Sequence, residues 1–245
     1  MELSRLATLQ PKIPVEEVRV GDVPDYGGPA RFEGYALEAV LRRIPQMEAL
    51  KKADAQIMFR CADGYAATMP LSLALARKGF VVFRDLDAPS GKKWKSFAHG
   101  KKEITPEPFY VVWKDVPADD LRFKWPYNLV EIELIDLQKE YSAAVPKDAE
   151  KLPAFHSFRT HCMSCHSVNL IGGAVGPELN APKNILEYWS EENVRAFVKN
   201  PRSFRARSAM PANSHLSDAE LDRVVEYLRY MQDHKLCDAK KPCPS

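Results

Sequence analysis

The chain has 245 residues, 35 of them lysine or arginine and 33 aspartate or glutamate, so its formal net charge is +2. With 45% apolar and 28% charged residues it has the balance of a folded globular chain with room for two domains. A charge this small, with no basic stripe among aromatics, argues against nucleic acid as a partner, and no apolar run reaches the roughly 18 residues of a membrane span.

The opening "MELSRLATLQPKIP" has no apolar signal core, which leaves either a cytoplasmic protein or an exported one whose signal has been removed. Residues 1–28 carry Pro11, Pro14, Pro24 and the pair Gly27-Gly28, and read as an extended leader packed along another domain. Residues 29–148 read as α+β. A short helix in "GYALEAVLRRI" stops at Pro45, "AQIMFRC", "GFVVFRDL", "PFYVVWKD" and "NLVEIELIDL" are strand-like, and "TMPLSLALARKG" has helical spacing up to Gly79. Residues 85–108, rich in lysine and turn formers, read as a long exposed loop. At "YSAAVPKDAEKLPAF" the strand pattern ends, and residues 149–245 read as an all-α domain. Its helices lie in "AFHSFRTHC", in "SEENVRAFVKN" behind a Ser190 cap, and in "SDAELDRVVEYLRYMQD" behind Ser217, with Leu221, Val224, Val225 and Leu228 on one face.

The five cysteines carry most of the functional signal. Cys237 and Cys243 lie in a short polar tail where a disulfide can close, which implies an oxidising, exported location such as the periplasm. Cys162, Cys165 and His166 form the run "CMSCH". Zinc would need a second pair of ligands, and a thioredoxin-type motif would sit in a βαβ unit. Covalent haem needs two thiols for thioether bonds and an adjacent imidazole for the iron, which is what this spacing offers.

From these residues onward, 149–245 resembles a class I cytochrome c domain. Phe158 stands one helical turn before Cys162, where that family has an aromatic, although Ala154 replaces its usual glycine. In "VGPEL", Pro177 matches the proline that packs on the haem beside the proximal histidine. In "AMPAN", Met210 matches the distal thioether ligand, and Tyr227 in "LDRVVEYLRYM" matches the aromatic that crosses the first helix. The resemblance implies one covalent haem c with His166 and Met210 as axial ligands, and single-electron transfer to a redox partner rather than catalysis. His215 is the rival sixth ligand. If Met210 does not ligate, a haem sensor or peroxidase becomes the reading. Lys199, Arg202, Arg205 and Arg207 precede Met210 without an intervening acid, and read as a solvated face or as a patch for an acidic partner.

In the first domain, "IMFRCADGYAATMPLSLA" with "PFYVVW" resembles the molybdopterin-binding domain of the sulfite oxidase superfamily, where a thiolate in the turn after the strand, here Cys61, ligates molybdenum. The arginine and histidine cluster that grips the pterin in that superfamily is missing, since Arg60, Arg84 and His99 stand apart. The expectation is therefore a domain that keeps the fold for docking or scaffolding without molybdopterin. The alternative is a haem-molybdenum oxidoreductase of sulfite oxidase type.

Overall fold

The computed structural model describes residues 1–45, 47, 55–99, 102–238 and 241–243. It divides into two compact units, Met1–Lys139 and Glu140–Ser245. The division precedes the expected one near residue 148 because the intervening segment is bound into the second unit. There the Ala143 carbonyl accepts from Asn169 Nδ2 at 2.8 Å, and the Ala144 carbonyl from the Tyr227 hydroxyl at 2.7 Å.

The first unit opens with a 3-10 turn, Leu3–Thr8, followed by β1 (Glu16–Val23), β2 (Gly28–Ala36) and α1 (Leu37–Leu41). Next come β3 (Ala55–Cys61), β4 (Ala66–Pro70), α2 (Leu71–Leu75), β5 (Gly79–Asp85), β6 (Phe97–His99), β7 (Lys102–Ile104), β8 (Tyr110–Trp113), β9 (Leu129–Asp136) and α3 (Leu137–Glu140). One antiparallel sheet has the order β1-β2-β5-β8, a second β4-β3-β9, and β6 pairs with β7. Tyr35, Val81, Val111 and Trp113 of the first sheet share a core with Ile57, Phe59, Leu129 and Ile132 of the second. Their neighbours Phe80, Val82, Tyr110 and Val112 point the other way, into a core with Phe32 and Trp94. Burial on both faces explains why "GFVVF" and "YVVW" are continuous apolar runs rather than alternating ones.

Two expectations for this unit change. Residues 1–28 are not a leader along another domain: Leu3, Leu6 and Ile13 are buried in the shared core, and β1 pairs with β2 through Val18, Val20 and their partners. The prolines drew attention away from the strand alternation in "EEVRVGDV", whose Val18, Val20 and Val23 are buried. Nor is 85–108 a loose loop. Trp94 and Phe97 are buried, and the Asp85 carboxylate accepts the Asp87 and Lys95 backbone N–H groups at 2.8 and 3.3 Å, folding the chain back over the sheet.

The second unit contains α4 (Leu152–His161), β10 (Ser167–Val168), β11 (Ile171–Gly172), a 3-10 turn at Ile185–Glu187, α5 (Glu191–Lys199), α6 (Pro201–Phe204), α7 (Asp218–Gln232), β12 (Leu236–Asp238) and β13 (Lys241–Pro242). It departs from an all-α description by two minimal ribbons, β10-β11 and β12-β13. Strands of two or three residues are too short for periodicity to announce. Cys237 and Cys243 are joined across the second, with Cα atoms 4.7 Å apart. The helix starts follow the sequence signals: the Ser190 hydroxyl accepts from Asn193 N–H, and Ser217 forms a reciprocal capping box with Glu220. Among the described residues, no helix is long and apolar enough to cross a membrane.

Candidate metal centre

Helix α4 ends at Cys162, whose N–H still donates to the Phe158 carbonyl at 2.8 Å. The chain then turns once more: the Cys165 and His166 N–H groups both donate to the Cys162 carbonyl, at 3.1 and 2.9 Å. The "CMSCH" run is thus a single turn appended to the helix, with both cysteine side chains partly accessible and neither in a disulfide. Burial and the neighbouring Cys165 push the Cys162 thiol up to about 12. A redox-active pair would need the opposite shift.

The helix is held by its partner α7. Phe158 and Phe155 pack on the Tyr227 ring with centroids 4.8 and 5.7 Å apart, and all three rings are buried. Ala154, where the resembling family has glycine, is also buried. These contacts fix where the last turn of α4, and with it Cys162, points.

Downstream, the chain folds back over the turn. The Gly173 N–H donates to Met163 O at 2.9 Å and the Gly176 N–H to Cys165 O at 2.8 Å. The Pro177 carbonyl lies 2.8 Å from His166 Nδ1. With Nδ1–H donating there, the tautomer is set and Nε2 keeps its lone pair for a metal. Burial holds the His166 imidazole below its usual range, against the pull of that hydrogen bond and of the Glu178 charge, which favours the neutral, ligating form. Gly176 lies flat on the ring, and a Cβ there would stand 2.6 Å from Nδ1 and 2.8 Å from Nε2.

Cys162, Cys165, His166 and Pro177 are therefore brought together in one loop system. Met210 comes from another segment, after α6. It is partly buried against Val194, Val198, Leu216, Leu221 and Val225, with its N–H donating to Ser208 Oγ at 3.3 Å. The rival His215 is exposed, with its ring 6.5 Å from that of His161. Gly173, Gly176 and Glu178 were not singled out from the sequence. The signal was the crowding of glycine in "IGGAVGPEL", since glycine clusters where backbone must approach backbone or a ring closely.

In the first unit, Cys61 ends β3 and is followed by a tight turn, with its N–H bonded to Tyr65 O at 2.9 Å and its carbonyl accepting Gly64 N–H at 3.1 Å. Its thiol is buried in the shared core, and burial with Asp63 nearby raises its ionisation far above the usual range. Arg60 is paired with Glu133 at 2.6 Å and Arg84 with Glu33 at 3.1 Å. The side chain of His99 lies outside the described residues.

Residues 150–228 match the family model for cytochrome c oxidase, cbb3-type, subunit III. A segment of 76 residues is 28% identical to cytochrome c oxidase subunit 2 of Alkalihalophilus pseudofirmus, covering 29% of this chain and 22% of that protein. The chain thus spans about a fifth of the length of that curated relative. Both matches support a c-type cytochrome domain in the C-terminal unit, and with it haem-based electron transfer.

Proposed function

We propose that the protein is an electron carrier in which haem c is joined through thioether bonds to Cys162 and Cys165, with His166 and Met210 as the axial ligands. The observation that carries this reading is the His166 ring, held by the Pro177 carbonyl at 2.8 Å, with glycine at 176 where any side chain would collide with the imidazole. Bound haem supplies a one-electron iron couple. The chain's own residues do the rest: the cysteines fix the group, Pro177 orients His166, and the α5 and α7 side chains pack on one side of the half-buried Met210 and position its thioether. With two protein ligands no coordination position is left for substrate, which favours a carrier over a peroxidase or sensor.

For the first unit we propose a scaffolding or docking module without molybdenum. A metal-binding thiolate needs an electropositive, accessible surrounding. Cys61 instead has an apolar core and an aspartate, and the adjacent Arg60 is already paired with Glu133. The likeness to the molybdopterin-binding fold is part of this proposal. So is an exported location, for which the Cys237–Cys243 pair is the support.

The test is maturation of the natively exported chain with a cytochrome c assembly system. One haem should survive acid-acetone extraction by mass, iron should be present and molybdenum absent, and the ferric long-wavelength band of sulfur ligation should vanish in Met210→Ala. A chain that releases its haem on extraction overturns the covalent reading. An unchanged band in Met210→Ala transfers the sixth position to His215.

A further inference from the structure

Directly after the carbonyl that holds His166 stands Glu178, whose carboxylate collects four backbone donors. Asn169, Asn180 and Ala181 N–H reach Oε1 at 3.0, 2.9 and 3.0 Å, and Leu170 N–H reaches Oε2 at 3.0 Å. Two of these donors belong to consecutive residues with positive φ, 54° at Asn169 and 66° at Leu170. The turn made by these two residues aims both N–H groups at the one carboxylate. Leucine rarely adopts this conformation, and at 56% exposure the Leu170 side chain gains little packing in return. The charge-assisted bonds to Glu178 are what offset the strain.

The clamp is tied to the body of the unit by buried amides. Asn180 Nδ2 donates to Asn169 Oδ1 at 2.8 Å, Asn184 Nδ2 to Asn180 Oδ1 at 2.7 Å, and Asn184 Nδ2 also to the Leu228 carbonyl of α7 at 2.9 Å. All three asparagines are fully buried. Glu178 therefore joins β10-β11 to the segment after Pro177, is linked through the asparagines to α7, and is the next residue after the carbonyl that lies 2.8 Å from His166 Nδ1.

We propose that Glu178 is the positioning residue of the metal centre: its carboxylate locks the Pro177 carbonyl onto His166 Nδ1, and its charge favours the oxidised iron. This deepens, and rests on, the haem reading above. Both actions have the same sign. A firm Nδ1–H···O=C bond makes the imidazole a stronger donor, and a nearby negative charge stabilises the more positive ferric state. Each therefore lowers the reduction potential.

Glu178→Gln keeps the shape and an accepting oxygen but removes the charge. Glu178→Ala removes the clamp as well. A unit charge acting over roughly 10 Å at an effective dielectric of about 20 shifts a one-electron equilibrium by about tenfold. Glu178→Gln is thus expected to raise the midpoint potential by the equivalent of that ratio, about 59 mV. Glu178→Ala should raise it further and should also speed exchange of the His166 Nδ1 proton, followed by NMR, while Glu178→Asp should restore part of both. Spectroelectrochemical midpoints of Glu178→Gln equal to wild type, on protein with haem attached, would overturn the inference alone. A wild type that matures without covalent haem overturns the haem reading with it. If Glu178→Ala does not assemble, the Glu178→Gln midpoint still decides.

Discussion

Gly176 shows how little room the residue scale leaves. A methyl group there would meet the His166 ring at its nitrogens, and the ring cannot retreat while Pro177 holds it. Overpacking of this kind costs about 1–3 kcal/mol. Gly176→Ala is therefore expected to lower the yield of haem-bearing protein several-fold and to weaken the sulfur-ligation band, measured as the ratio of haem absorbance to protein after export. A normal ratio and spectrum would mean that the loop shifts freely and that the cradle is not needed. Cys61 is the contrasting case. Its thiol is neutral and packed in the sheet core, so Cys61→Ser should cost on the order of 1 kcal/mol, read from the denaturation midpoint, and leave the haem spectrum intact. Molybdenum found in the wild type and lost in Cys61→Ser would reverse the assignment of the first unit. The Cys162, Cys165 and His166 interval was legible as a candidate haem motif, because it is written in five contiguous residues. Glu178 was not, because its four partners lie at 169, 170, 180 and 181, and only a folded loop brings them together.

At the scale of elements, the centre depends on the crossing of α4 and α7. Phe158 is fully buried on Tyr227, and it lies one turn before Cys162. Phe158→Ala should cost about 3–5 kcal/mol by urea unfolding and reduce haem attachment, since the turn bearing Cys162 loses its backing. The start of α7 is a separable contribution. Removing the cap with Ser217→Ala should cost about 1 kcal/mol and leave the haem spectrum unchanged, because the Ser217 hydroxyl bonds within the capping box to Glu220. Equal losses in the two variants would argue that the crossing is no more than ordinary helix packing. The starts of α5 and α7 could be read from serine followed three residues later by an amide or acid, whereas β10-β11 and β12-β13, at two or three residues a strand, lie below the length at which alternation is visible.

For the whole molecule, the remaining question is how a partner approaches. Of the basic run before Met210, Lys199 is engaged with Asp218, and the Arg205 guanidinium lies over the Trp189 and Phe197 rings at 5.6 and 6.0 Å. Arg202 and Arg207 are exposed and form no ion pair among the described residues, so they are the cations available to an acidic partner. Long-range attraction governs the rate of weak electron-transfer encounters, and at 0.15 M salt it is screened beyond roughly 8 Å. Arg202→Glu combined with Arg207→Glu should therefore slow reduction by an anionic partner about tenfold or more at low ionic strength, with the difference closing as salt is added. Equal stopped-flow rates at low salt would leave the run as a solvated surface.

The sequence by itself determined the interval on which the haem proposal rests, the two-part organisation and the starts of α5 and α7, since each is written in contiguous residues: a C-x-x-C-H spacing, a change of periodicity, a capping serine. Tertiary structure alone decided that residues 1–28 belong to the first unit, that Trp94 anchors the lysine-rich segment, and that Glu178 and three buried asparagines form one hydrogen-bonded cluster next to the segment that bonds His166. The reason is physical. Those roles are held by single residues whose partners are brought near by folding, and a lone leucine, tryptophan or glutamate carries no local period that names its partner.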